Sequence, residues 1–403
     1  MKYIVLLGDG MADYPVAGKN GKTPLELSRT PYMDSLAQRG ELGLVNTIPA
    51  GMDPGSDVAN LSVMGYDPLQ FYSGRAPIEA ASIGVHLDEQ DIAFRCNLVT
   101  LQEKDGSLYM DDYSAGHIKT PEAAVIVNAL KEQFDSSDIT FYAGVSYRHL
   151  MVWKQGSDKI KTTPPHDISG KKIDAYLPQG EGSPRVQQLM AQSRDILSGL
   201  AINKEKIRQG IKPANSIWLW GQGRSLKLPR FMEKYGLSGS VISAVDLIKG
   251  LGISAGLSAI TVPGATGYLD TNYEGKARAA LQALESADFV YLHVEAPDEA
   301  SHKGSFDEKI QAIEDFDARI VKPVLEGLAT KFKEYRILLL PDHPTPLATM
   351  THAADPVPFI LFSSEDTGRQ ARQSIGYNEK DAKKSKLYIS RGWELMDRFI
   401  KQG

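Results

Sequence analysis

Cysteine is all but missing from this chain: of its 403 residues only Cys96 carries a thiol. One cysteine cannot form an internal disulfide, and Cys96 is read as a small buried hydrophobe. Long apolar runs are missing too, because charges and glycines interrupt each one before the roughly 18 residues that a membrane-spanning helix needs. No membrane partner is therefore expected. The opening Met1-Lys-Tyr-Ile-Val5 lacks the continuous apolar stretch and cleavage site of a secretory signal, so a cytoplasmic location is expected. Nor is there an excess of positive charge: 45 lysines and arginines face 50 aspartates and glutamates, a net charge of -5. That balance speaks against nucleic acid as a partner, and any anionic substrate must be held by locally placed cations. Internal repeats, a coiled-coil seam and low-complexity tracts are absent as well. The remaining composition, 42% hydrophobic and 24% charged, is ordinary for a globular enzyme. The length implies two domains, or one with a large insertion.

What the chain does have is three apolar runs, far apart, that each break off at an acidic residue. Lys2-Tyr-Ile-Val-Leu-Leu-Gly-Asp9 is the first, Phe289-Val-Tyr-Leu-His-Val-Glu-Ala-Pro-Asp298 leads on to His302, and Arg336-Ile-Leu-Leu-Leu-Pro-Asp342-His343 is followed by His352. Short runs dense in Val, Ile, Leu and Tyr and bounded by Gly or Pro read as buried strands of a parallel sheet, whose carboxyl ends host chemistry in α/β folds. Thr30-Pro31 and Gly40 bracket a helix. Pro54-Gly-Ser56-Asp57 tips into another, with Ser56 at or near its amino terminus. Ile310, Ile313, Phe316, Ile320 and Val324 recur at helical spacing, predicting an amphipathic helix over 307–328 that covers the sheet. Between 73 and 237, strand-like pieces (141–145, 149–153 and 216–220) alternate with helical ones such as 122–130, and none of these strands ends in an aspartate with a histidine nearby. The expected organisation is a metal-bearing domain in two parts, 1–72 and 238–403, with a separate α/β domain inserted at 73–237.

Asp298 and His302 lie four apart, on one face if helical, a spacing that suits a metal ion or a plain surface ion pair. Asp342-His343 just past a buried strand has little structural purpose there, and adding His352 and Asp9 gives three aspartates and three histidines aimed at one sheet edge. Mixed carboxylate and imidazole ligands without thiolates suit Mn²⁺ or Zn²⁺ better than Ca²⁺, and Mg²⁺ would prefer fewer imidazoles. Six such ligands suit two ions better than one. Paired ions stabilise the attacking and leaving oxygens of a phosphoryl transfer and lower the pKa of an oxygen nucleophile. Ser56 is the candidate nucleophile, because the free N–H groups and dipole of a helix amino terminus favour an alkoxide or phosphoserine. An ordinary N-cap would use the same residue. Two glycine-bearing stretches are decoys: Gly21-Lys22-Thr23 lacks the earlier glycine of a phosphate loop, and Gly221-Gln-Gly223 lacks the third glycine of a dinucleotide fingerprint. Both are expected to be turns.

Gly8-Asp-Gly-Met-Ala-Asp13, Pro54-Gly-Ser-Asp-Val-Ala-Asn60, Tyr72-Ser-Gly-Arg-Ala-Pro77, Val145-Ser-Tyr-Arg-His149, Glu295-Ala-Pro-Asp-Glu-Ala-Ser-His302 and Pro341-Asp-His343 together resemble the cofactor-independent phosphoglycerate mutases of the archaeal type. These belong to the alkaline phosphatase superfamily, and the resemblance runs nearly end to end. It implies an α/β, alkaline-phosphatase-like core, a mostly parallel sheet sandwiched by helices, with an inserted substrate domain. It also implies two divalent ions, Mn²⁺ first with Zn²⁺, Mg²⁺ or Co²⁺ as alternatives, and no 2,3-bisphosphoglycerate. A serine would take the phosphoryl group from one hydroxyl of glycerate and return it to its neighbour. By that pattern Asp298, His302 and His352 bind one ion, and Asp9, Ser56, Asp342 and His343 the other. Lys249 would steady the transferring phosphoryl group, unless it is a solvated helix lysine.

Arg75, His117, Arg148 and His149 resemble the residues that hold the phosphate and carboxylate of a small phosphorylated hydroxy acid, with Arg148 and His117 also expected in catalysis. In Tyr147-Arg-His149, adjacent cations would need an anion to justify them. Substrate is expected between the domains, with closure that keeps water from the phosphoserine. Two departures bear on the substrate. Trp218-Leu-Trp-Gly-Gln-Gly223, with Arg224 just beyond, stands where archaeal relatives tend to carry an arginine, and His117 stands where arginine is usual. The alternatives are therefore homoserine kinase, proposed for a bacterial branch that this chain resembles, or a related phosphoesterase. A metal-binding protein without catalysis is the alternative outside enzymes.

Overall fold

The computed structural model describes residues 1–368, 370–372 and 374–401, and they fall into two compact units, Met1–Tyr72 with Lys227–Gly403 and Ser73–Leu226. The chain re-enters the first unit at Lys227 rather than at 238. The reason is that the helix Phe231–Tyr235 packs on that unit's core: the Phe231 ring is buried 4.5 Å from that of Phe289, and the Tyr66 hydroxyl donates to Pro229 O at 2.8 Å.

The first unit is built on a sheet ordered Ser258–Ile260, Gly239–Ile242, Phe289–Val294, Lys2–Gly8, Tyr335–Leu340, Val357–Ser363, Glu41–Val45 and Tyr388–Ile389. Only Val357–Ser363 runs against the others. The three central strands are buried along nearly their whole length, as strands covered on both faces must be, which is why they read as continuous rather than alternating apolar runs.

One covering layer is the expected amphipathic helix, interrupted midway: Phe306–Phe316 passes through a π-helical turn, Asp317–Val321, into Lys322–Lys331. Local π turns often mark a special task. Here Asp317 reaches across to accept the Tyr32 and Met33 N–H groups at 3.2 and 2.7 Å, so it caps the helix Pro31–Arg39 in place of Thr30, whose side chain makes no cap bond.

The second unit carries an antiparallel sheet ordered Ser107–Asp112, Ile92–Lys104, Arg148–Trp153 and Ile139–Tyr142, with Ser216–Gly223 also pairing Ile92–Lys104. Cys96 is buried within it, as expected. The Gly221–Gly223 decoy lies in a strand, not a turn. Glycine is needed there, because a Cβ on Gly223 would stand 2.1 Å from Ser73 O. Thr23 of the other decoy forms a capping box with Glu26 at the start of a short helix. Among the described residues no helix is long and apolar enough to cross a membrane.

Candidate metal centre and nucleophile

Register brings the acidic residues together. Leu7 pairs with His293 on one side and with Leu340 on the other, so Asp9, Glu295 and Asp342 leave three adjacent strands at nearly one level. Gly10 turns the chain immediately after Asp9 at φ +62°, donates its N–H to Asp342 Oδ1 at 3.2 Å, and leaves room for Asp298. A Cβ on Gly10 would stand 2.6 Å from Asp298 Oδ1 and 2.7 Å from Thr345 Oγ1. Gly10→Ala is therefore expected to destabilise the protein by about 1–2 kcal/mol from the left-handed backbone alone and to weaken metal binding. Urea unfolding and Mn²⁺ titration measure the two effects.

Below this edge Lys309, fully buried, ties the two loops to each other. Its ammonium bonds Asp13 Oδ2 at 2.8 Å, Thr345 O at 2.9 Å and Ala12 O at 3.3 Å. Asp13 Oδ2 also accepts the Leu347 N–H at 3.1 Å. Lys309→Met leaves Asp13 buried without its cation, and the expected loss is about 3–5 kcal/mol, read by denaturant unfolding.

Ligand atoms of Asp9, Asp342 and His343 lie within 4.8 Å of one another, and so do those of Asp298, His343 and His352. The resemblance divides these residues between two ions; the geometry sets His343 against both groups. His302 and Asp298 do share one helix, Ala296–His302, with His302 Nε2 3.0 Å from Asp298 Oδ2 and 3.0 Å from His352 Nε2. The opposite ring nitrogen, Nδ1, faces Met350 O at 3.0 Å. Donation to that carbonyl would leave the Nε2 lone pair of a neutral ring facing inward, the usual way a ligating imidazole is oriented. Burial alone would lower the His302 pKa, but Asp298 beside it holds the imidazolium up to about 9. Burial, then the charges of Asp342, Asp298 and Glu295, push Asp9 well above the usual carboxylate range. Asp9 Oδ1 is buried without a hydrogen-bond partner. Buried carboxylates crowded in this way, facing imidazole nitrogens and no sulfur, fit divalent cations of the Mn²⁺ or Zn²⁺ kind.

Ser56 opens the helix Ser56–Val63 and is not its cap; extended Gly55 fills that position. The serine hydroxyl is thus spared a capping bond and lies 3.1 Å from His343 Nε2. One turn on, Asn60 donates to Ser56 O and to Asp342 Oδ2, both at 2.8 Å, and accepts from the buried Tyr291 hydroxyl at 2.6 Å. Thr345 similarly joins the two ligand groups, its hydroxyl 2.5 Å from Asp298 Oδ1 and 3.2 Å from His343 Nδ1. Lys249 lies on the helix Asp246–Ser254, which packs on the Ser56 helix, and its ammonium is 3.4 Å from Asp246 Oδ1. Its side chain is partly buried. Sequence reasoning missed Asn60, Thr345, His293 and Glu295 as members of the site. Their only signal is position, within a few residues of a ligand or of Ser56.

In the second unit Glu79 is gripped by Arg75 Nε at 3.0 Å and Arg95 Nε at 2.9 Å. Burial would raise its carboxyl, but Arg95, Arg75 and Arg148 outweigh burial and hold it below the usual range. Arg95, also missed from sequence, lies 4.3 Å over the Trp220 ring. His117 sits at φ +50° with its ring 6.3 Å from that of Tyr147.

His149 departs from expectation. Neighbours on a strand point to opposite faces, and while Arg148 is exposed, His149 is buried, with Nδ1 accepting the Gly144 N–H at 3.0 Å. Burial lowers its pKa to about 4, so it is neutral, and Tyr147-Arg-His149 is not a pair of adjacent cations.

The family model for 2,3-bisphosphoglycerate-independent phosphoglycerate mutase matches residues 37–203. A relative from Geobacter sulfurreducens, named "Probable 2,3-bisphosphoglycerate-independent phosphoglycerate mutase", is 54% identical, with 99% of this chain and 100% of the relative covered. The 2,3-bisphosphoglycerate-independent phosphoglycerate mutase of Methanosarcina barkeri is 49% identical, with both chains covered in full at 100%. Among solved structures, the cofactor-independent phosphoglycerate mutase of Thermoplasma acidophilum superposes with a TM-score of 0.66 at 25% identity, covering 100% of each chain. Identity near one half along the whole length reaches well beyond a shared fold, and the chain belongs to the family of 2,3-bisphosphoglycerate-independent phosphoglycerate mutases.

Proposed function

We propose that this enzyme interconverts 3-phosphoglycerate and 2-phosphoglycerate through a phosphoserine on Ser56, without 2,3-bisphosphoglycerate. Two divalent ions, Mn²⁺ by preference, would be held by Asp9, Ser56, Asp342 and His343 and by Asp298, His302 and His352. The observation that carries the reading is the Ser56 hydroxyl, relieved of capping by Gly55 and 3.1 Å from His343 Nε2 at the edge of the ligand cluster. When bound, paired divalent ions lower the pKa of a hydroxyl nucleophile and offset charge on the transferring phosphoryl oxygens. Ser56 Oγ attacks phosphorus, the bond to the glycerate oxygen breaks, and that oxygen takes up a proton. The neighbouring glycerate hydroxyl then attacks phospho-Ser56 and releases the serine. The dipole at the amino terminus of the helix Ser56–Val63 would favour the negative charge of the phosphoserine, and Lys249 would steady the transferring group.

Arg75 and Arg148 would hold the substrate's anionic groups, a task suited to forked N–H donors, and His117, whose ring lies 6.3 Å from that of Tyr147, would act with them. Arg148→Ala is expected to raise KM roughly 10- to 100-fold, the equivalent of one charge-assisted hydrogen bond, with kcat reduced less. His149→Ala, by contrast, should act on stability. Steady-state kinetics and thermal unfolding of both variants check this.

The test of the reaction offers the purified protein, with Mn²⁺, 3-phosphoglycerate free of 2,3-bisphosphoglycerate, and in a separate mixture ATP with homoserine. Formation of 2-phosphoglycerate supports the mutase. Turnover only in the second mixture overturns it in favour of the kinase, and release of inorganic phosphate alone in favour of a phosphoesterase.

A further inference from the structure

Asp9 is held from behind by a chain of buried hydrogen bonds. His293, on the strand Phe289–Val294, has Nε2 3.0 Å from Asp9 Oδ2 and Nδ1 3.2 Å from Ser243 Oγ. Ser243 Oγ in turn accepts the Val245 N–H at 3.0 Å, and Val245 caps the helix that carries Lys249. The polarity of this chain is fixed by what each group can do. A backbone N–H only donates, so the Ser243 oxygen is an acceptor at that end. As a metal ligand Asp9 is an ionised carboxylate, which only accepts, so the proton of a neutral His293 ring is then on Nε2, and Nδ1 takes the Ser243 hydroxyl proton. His293 O is itself anchored, accepting from the buried ammonium of Lys276 at 3.2 Å.

We propose that His293 is a positioning residue for Asp9: its single-tautomer Nε2–H bond occupies Oδ2, so that only Oδ1 is offered to an ion beside Asp342 and His343. Two further observations fit this. Asp9 Oδ1 has no hydrogen-bond partner, and it is the oxygen that faces His343 Nε2, at 3.6 Å. The inference rests on the reading of Asp9 as a metal ligand. A carboxylate free to rotate would bind through either oxygen or both, whereas one pinned from behind offers one oxygen in one direction, and partners of this kind typically set metal affinity 10- to 100-fold. Because Ser243 precedes the helix of Lys249, the same chain couples the direction of Asp9 to the seat of that helix.

The test titrates Mn²⁺ calorimetrically into metal-free wild type, Asp9→Asn, His293→Leu, His293→Gln and Ser243→Ala, with kinetics and metal-free unfolding measured on the same samples. His293→Leu should weaken one ion roughly 10- to 100-fold without changing the number bound, and should lower kcat with little change in KM. His293→Gln, whose amide nitrogen can take the place of Nε2, should recover most of this, and Ser243→Ala should show a smaller loss in the same direction. Wild-type binding in His293→Leu, while Asp9→Asn is weakened, overturns the positioning role alone. Unchanged binding in Asp9→Asn overturns the ligand reading and the inference with it. Loss of one whole equivalent of ion in His293→Leu would make His293 a ligand instead, joined with Asp9 and Glu295, whose ligand atoms also cluster within 4.8 Å. Equal losses in the Leu and Gln variants, matched by equal losses of metal-free stability, would reduce His293 to a packing residue.

Discussion

Ser56→Ala is expected to cut mutase turnover on the order of 10⁴-fold or more, because removal of a covalent nucleophile abolishes a step that neighbouring groups cannot replace. The same variant should fold as the wild type does and still bind both ions, one of them more weakly for the loss of one of its ligands. Gly55, not Ser56, caps the helix, and among the described residues the hydroxyl meets His343 Nε2, so stability should change by about 1 kcal/mol or less. The backbone of Ser56 stays tied to Asp342 through Asn60. Asp9, Asp342 and His343 remain in place to hold an ion. Steady-state kinetics and Mn²⁺ titration on one preparation separate the two effects. Full activity would discard the covalent route and leave direct transfer between glycerate oxygens.

Chelation should have an effect of similar size. Removing divalent ions is expected to abolish turnover, and Mn²⁺ should restore it. The stability change follows from the same groups: Asp9, Asp298 and Asp342 are all buried at one sheet edge, where cations relieve their mutual repulsion. At a free Mn²⁺ concentration 100 times its dissociation constant, mass action alone adds about 2.7 kcal/mol to folding stability. That should appear as a rise of several degrees in Tm. Activity that survives exhaustive chelation would contradict the role given to these ligands.

The parts of the fold that were legible in the sequence are those where local pattern and final environment coincide. The three strands ending near Asp9, Asp298 and Asp342 are buried on both faces, so composition alone marks them, and a strand's end marks the site. Asp298 and His302 were legible because helical spacing turns sequence separation into geometry. Asn60, Thr345 and His293 were not, because each owes its role to partners that the fold brings from distant parts of the chain. Tyr291 and Asp342 meet Asn60, Asp298 meets Thr345, and Asp9 and Ser243 meet His293. Thr30 has the sequence of a cap, yet Asp317 takes the task from a π turn that periodicity cannot reveal. The pairing of Arg148 with His149 failed for a simpler reason: the run is a strand, and alternation sends one ring into the core.

The phosphoryl group is expected to rest on Ser56 between leaving one glycerate oxygen and joining the next. The most direct measurement mixes Mn²⁺-loaded enzyme with 3-phosphoglycerate labelled in its phosphoryl group, quenches in acid within a turnover, and maps the label by peptide mass spectrometry. The account predicts label on the peptide containing Ser56, and none in Ser56→Ala. Label on another residue, or 2-phosphoglycerate formed at the wild-type rate by Ser56→Ala, would contradict it.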